Sequence, residues 1–146
     1  MISKIRHTGV VVRDLVKSLN FYEGLGFKLA SRHIEQGDFI DQVVGLKKVK
    51  VETAKLLSPC GGMLELLKYH SHPINEPVSR QDSNRLGCSH IALQVNDITA
   101  VLDIIELKQG SLKCDPVRSA DGVFTVAYCY DPEGNIVEIV EEKLKS

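Results

Sequence analysis

Apolar and polar positions alternate over residues 4–12, which predicts a half-buried strand. The period then lengthens. Leu15, Val16, Leu19, Phe21 and Tyr22 fall at helical spacing, with Ser18 near the start and Gly24 and Gly26 at the end, so a short helix closed by glycine follows. Residues 27–34 read as a second strand and Gln36-Gly37-Asp38 as a turn. Residues 39–46 are apolar but irregular, as expected of a single inserted helical turn. A third strand over 49–57 and a fourth over 63–69 flank the turn Ser58-Pro59-Cys60-Gly61-Gly62. Residues 70–85, rich in Pro, Ser and Asn, have little periodicity and read as a linker. The order then recurs: strand 88–95, helix 99–109 ended by Gly110, and strands 112–117, 123–130 and 135–141. Asp131-Pro132-Glu133-Gly134 turns the chain between the last two. The pattern predicts an α+β fold of two βαβββ modules, about 1–69 and 86–146, within one domain.

The two modules repeat chemistry as well as periodicity. His7-Thr8-Gly9-Val10-Val11-Val12-Arg13-Asp14-Leu15 matches His90-Ile91-Ala92-Leu93-Gln94-Val95-Asn96-Asp97-Ile98 in the His, in a Val five positions on and in an Asp seven on. Gly61-Gly62-Met63-Leu64-Glu65-Leu66-Leu67 matches Gly134-Asn135-Ile136-Val137-Glu138-Ile139-Val140, each with a Gly four positions before a Glu. A carboxylate among aliphatic residues needs compensation, and a divalent ion is one form of it. His7, Glu65, His90 and Glu138 are therefore expected to supply two nitrogen and two oxygen ligands to one metal. Alternation puts Val137 and Ile139 on the face opposite Glu138, so the His and Glu face is expected to line a ligand site.

Other residues carry weaker signals. His70 and His72 open the linker and read as solvated; His33 has no assigned role. Phe21 and Tyr22 are expected to pack, and Lys47, Lys48 and Lys50 to form a solvated basic run. Asp41 and Glu52 match no motif and are the weaker acidic candidates.

At 146 residues with a net charge of −1, the chain gives no electrostatic reason to expect nucleic acid or an anionic membrane as partner. No apolar run approaches the roughly 18 residues of a spanning helix, and residues 1–6 lead into a strand pattern rather than a signal peptide. Cys60, Cys88, Cys114 and Cys129 are widely spaced, with no Cys-x-x-Cys, as expected of free thiols in the cytoplasm.

Three motifs give the chain a family resemblance: Leu19-Asn20-Phe21-Tyr22-Glu23-Gly24-Leu25-Gly26-Phe27, Gly87-Cys88-Ser89-His90-Ile91-Ala92-Leu93 and Asp131-Pro132-Glu133-Gly134-Asn135-Ile136-Val137-Glu138. Together they resemble the vicinal oxygen chelate superfamily, which includes glyoxalase I, methylmalonyl-CoA epimerase, extradiol dioxygenases and fosfomycin or bleomycin resistance proteins. The resemblance implies paired βαβββ modules in a cupped mixed β-sheet, the glyoxalase/bleomycin resistance/dioxygenase fold. It implies one metal on His7, Glu65, His90 and Glu138, which suits zinc, nickel, cobalt, iron or manganese. It also implies a lyase or isomerase that removes a proton next to a carbonyl, with Glu138 as base and Glu65 as the second candidate.

Val11 and Tyr69 stand where glyoxalase I enzymes usually carry an Arg and an Asn, the Arg holding the glutathione carboxylate. Glu65-Leu66-Leu67 before a long linker looks more like the acyl-CoA epimerase branch. Alternatives on the same fold are an extradiol-type dioxygenase, which usually lacks a fourth ligand such as Glu65, and a non-catalytic small-molecule binding protein. The expected partners are a small carbonyl substrate and a second copy of the chain in a homodimer.

Overall fold

The computed structural model describes residues 1–143; residues 144–146, the tail of the second module, lie outside the described residues. The chain is mixed α+β with two sheets and divides into two compact units, Met1–Glu76 and Pro77–Ser146.

The first unit runs β1 (Thr8–Val11), α1 (Leu15–Gly24), β2 (Lys28–Gln36), α2 (Asp38–Val44), β3 (Lys50–Leu57) and β4 (Met63–Tyr69). Its sheet has the order β1-β4-β3-β2, with β1 parallel to β4 and the other pairs antiparallel. The helix α1 starts where the Asp14 side chain accepts from Lys17 N at 3.0 Å, an N-cap that satisfies a donor the helix leaves open. Leu15, Leu19 and Tyr22, spaced for one helical face, are buried, and α1 packs against β4 and β2. Phe21 and Tyr22 meet edge to face at 5.0 Å, and Tyr22 meets Phe27 at 5.9 Å.

The second unit repeats this plan: β5 (His90–Val95), α3 (Ile98–Leu107), β6 (Ser111–Leu112), β7 (Val117–Arg118), β8 (Phe124–Tyr130) and β9 (Ile136–Glu142). The order is β5-β9-β8-β6, with β7 also on β8, and β5 runs parallel to β9. Asp97 caps α3 as Asp14 caps α1, accepting from Ala100 N at 3.0 Å. Ile98, Leu102 and Ile105 are buried at the same spacing as Leu15, Leu19 and Tyr22. Val137 and Ile139 are fully buried on the face opposite Glu138.

Three elements differ from expectation. The first strand is shorter, because β4, its one partner among the described residues, begins at Met63 and pairs from Thr8↔Leu64 onward. The expected single turn near residue 40 is a seven-residue helix, α2, between Gly37 (φ 106°) and Gly45 (φ 71°), and it buries none of its residues. The strand expected over 112–117 is split into β6 and β7. Lys113 N and Cys114 N both donate to Tyr128 O, and Pro116 has no N–H to offer the ladder.

The end of the linker is tied to the second unit. Gln81 N donates to Gly134 O at 3.2 Å, Gln81 Nε2 to Asn135 Oδ1 at 3.1 Å, and Tyr130 Oη to Gln81 O at 3.2 Å. The turn beneath is built on the buried Asp131, whose Oδ1 accepts from Glu133 N and Asn135 N, both at 2.9 Å. Among the described residues no helix is long and apolar enough to cross a membrane.

Candidate metal centre

Each unit brings its own His and Glu together by the same device. In the first, the parallel register sets Gly9 beside Glu65, and His7 precedes Gly9 by two residues on the same side. The imidazole comes against the carboxylate there: His7 Nε2 lies 2.9 Å from Glu65 Oε2. In the second, Ala92 sits beside Glu138, and His90 Nε2 lies 3.0 Å from Glu138 Oε2.

The surroundings of the two pairs differ. Glu65 is 8% exposed and faces Lys55, its direct neighbour on β3, with Nζ 3.8 Å from Oε1. Glu138 is half-buried, and its direct neighbour on β8 is Tyr128, whose ring lies 5.2 Å from that of His90. Among the described residues the second oxygen of Glu138 has no hydrogen-bond or ion-pair partner. The His90 ring is held from behind, since Ser89 Oγ lies 2.6 Å from Nδ1. That contact leaves Nε2 facing Glu138 and fits an imidazole whose Nε2 lone pair is free for a ligand.

The donor chemistry fits a divalent ion. Two ligands about 2.1 Å from one ion and at right angles stand about 3.0 Å apart, close to the separation within each His–Glu pair. Each pair offers two donors; among the described residues no group of three or more His, Cys, Asp or Glu side chains is clustered for a metal. Lys55 and Tyr128 belong to no motif, and Ser89 stands in one without an assigned role. Lys55 and Tyr128 become visible only through strand register, and Ser89 only through the orientation of the His90 ring.

The weaker candidates have structural partners. Glu52 takes His70 Nε2 at 2.7 Å on Oε2 and Arg32 Nε at 2.6 Å on Oε1. The His70 hydrogen bond, followed by that of Arg32, holds its carboxyl below the usual range. His70 is exposed, as expected of the start of the linker, and in addition hydrogen-bonds Glu52. Asp41 accepts from Lys48 N at 2.6 Å and Val49 N at 2.8 Å, fixing the exit of α2. His33 is exposed, as are Lys47, Lys48 and Lys50.

A cleft of about 260 Å³ opens at the C-terminal ends of β1 and β4, with Val11, Arg13, Lys68, Tyr69, Pro73 and Ile74 in its lining. Val11 and Tyr69 lie four residues beyond His7 and Glu65, roughly 13 Å along each strand. The two positions that depart from the glyoxalase I pattern thus share one cleft.

Comparison with known proteins agrees with this architecture. Residues 4–139 match the family model for the Glyoxalase/Bleomycin resistance protein/Dioxygenase superfamily. The chain is 32% identical over 141 residues, 95% of both chains, to a protein of Synechocystis sp. named probable lactoylglutathione lyase. It is 28% identical over 149 residues to glyoxalase I of Saccharomyces cerevisiae, covering 97% of this chain but 44% of the yeast protein. A glyoxalase family protein from Bacillus cereus has the same fold, with a TM-score of 0.89 at 23% identity over 97% of this chain and 95% of that one. This chain belongs to the glyoxalase/bleomycin resistance protein/dioxygenase superfamily, the vicinal oxygen chelate superfamily.

Proposed function

We propose that the protein is a divalent-metal-dependent lyase or isomerase of the glyoxalase or acyl-CoA epimerase kind, removing a proton from the carbon next to a carbonyl. The observation that carries this reading is the duplicated His–Glu pair at 2.9 and 3.0 Å. His7, Glu65, His90 and Glu138 would hold one ion between them, in a homodimer whose sites close within one chain or across two. The names of the relatives from Synechocystis and yeast support the lyase class. A bound ion would act as a Lewis acid, polarising the carbonyl and favouring negative charge on its oxygen.

The chain's own residues divide the remaining work. Glu138, with one oxygen toward His90 and the other unengaged, takes the proton from carbon. Glu65, with His7 on one oxygen and Lys55 beside the other, is the more firmly held carboxylate. In an epimerase it would return a proton to the opposite face.

The test is proton–deuterium exchange at the α-carbon of candidate carbonyl compounds, followed by NMR in heavy water. Glu138→Gln should keep most of the metal and lose the exchange. If that variant exchanges as fast as the parent, Glu138 is at most a ligand and the base lies elsewhere.

A further inference from the structure

The two halves of the duplicated site differ in one charge. Strand register lays Gly9, Glu65, Lys55 and Ser31 in a row across the first sheet, and alternation turns them to one face. In the second sheet the same row reads Ala92, Glu138, Tyr128. Lys55 and Tyr128 are equivalent neighbours of the two glutamates, one cationic and one neutral. A feature present in one half only is an addition to the ligand set, not part of it.

We propose that Lys55 sets the substrate class of the site: a carbonyl compound bearing an ionised carboxylate beside the carbonyl, the carboxylate resting on the Lys55 ammonium. The inference builds on the metal-dependent reading above. In the proposed ligand set, two glutamates and two neutral imidazoles would balance a divalent ion, which would leave the Lys55 charge to spare. A monoanionic substrate cancels it.

Geometry supports the assignment. The ammonium stands 3.8 Å from Glu65 Oε1, beyond hydrogen-bond reach, and its side chain is 32% exposed. Among the described residues it makes no hydrogen bond, so its N–H groups stay available to a ligand. Once an ion draws on Glu65, the ammonium is left beside a second cation, and an incoming carboxylate relieves that repulsion. The next carboxylate on this face, Glu35, lies opposite Val51 and takes the Thr53 hydroxyl at 3.2 Å. It is roughly 13 Å along the strand and leaves Lys55 to Glu65 alone.

Pyruvate and its neutral isostere pyruvamide separate the charge from the shape. Binding of each is measured by calorimetry on the metal-loaded parent, Lys55→Met and Lys55→Arg, with metal content determined on the same samples. The parent should hold pyruvate at least about tenfold tighter than pyruvamide, as expected for a partly screened charge pair. Lys55→Met should lose that preference with pyruvamide affinity unchanged, and Lys55→Arg should keep it. No preference in the parent, absence of binding by either probe, or an equal loss for both in Lys55→Met would overturn the proposal. The last result would reduce Lys55 to a support for Glu65. A parent that takes up no metal would instead refute the metal reading, which the metal content reports separately.

Discussion

Removing one hydroxyl behind a proposed metal ligand tests the site without touching the proposed ligands. In Ser89→Ala the 2.6 Å contact to His90 Nδ1 is lost. With it goes the fixed ring orientation that aims Nε2 at Glu138, 3.0 Å away. A single hydrogen bond of this kind contributes about 1–1.5 kcal/mol. Ser89 and His90 are both half-buried, so water can take over part of the lost contact, which keeps the effect toward the lower end of that range. The expected result is a loss of about fivefold in metal affinity, since about 1.4 kcal/mol would be needed for tenfold. The assay is competition for zinc or nickel against a chromophoric chelator, with circular dichroism to show an unchanged fold. Cys88→Ser is the control: this exposed neighbour contacts only the His90 carbonyl, through Sγ at 3.7 Å, and should stay within about twofold. If Ser89→Ala binds metal as tightly as that control, His90 is not oriented from Nδ1 and the ligand assignment loses its support.

Three further outcomes follow from other parts of the fold. Because folding lowers the Glu52 carboxyl from its ordinary value, its contribution is present above the unfolded value of 4.5 and lost as pH falls through the lower folded one. Glu52→Gln should therefore destabilise by up to about 1 kcal/mol at pH 7 and match the parent in acid, and a difference that grows below pH 4.5 would contradict this. Gly134→Ala places a Cβ 2.4 Å from the Ser79 carbonyl oxygen at φ +85°. It should cost about 2 kcal/mol in urea unfolding and speed proteolysis within residues 77–86, whereas parental stability would show that this segment yields freely. Burial pushes the Cys129 thiol up to about 11, while Cys60, Cys88 and Cys114 are exposed. Iodoacetamide near pH 8 should label those three in the native protein and reach Cys129 only in denaturant, which mass spectrometry would count.

Much of the fold was legible because each module repeats the same local instructions. Asp14 and Asp97 cap helices that bury the same spacing of residues, and the two glutamates lie on strands whose flanking aliphatics mark the core face. Where the reading stopped short, the cause is contact between distant segments. The length of β1 is set by where β4 begins, and the break between β6 and β7 by what Tyr128 accepts. His70 is the exposed residue the sequence suggests, but its hydrogen bond to Glu52 joins segments 18 residues apart and could not be read from the sequence. At the site, the repeat pointed to the four donors, and the structure brings them together two by two. Lys55 and Tyr128 were hidden because a cross-strand neighbour is fixed by register, and register depends on the length of the intervening turn.

The central claim is that the duplicated pairs hold one divalent ion. Protein refolded or purified with zinc, nickel or cobalt, desalted and weighed by native mass spectrometry, should carry one ion per chain. The double variant His7→Ala with Glu138→Ala, which removes one donor from each pair, should carry none at the same free-metal concentration. A parent that retains no ion, or a double variant that retains a full complement, would contradict the account.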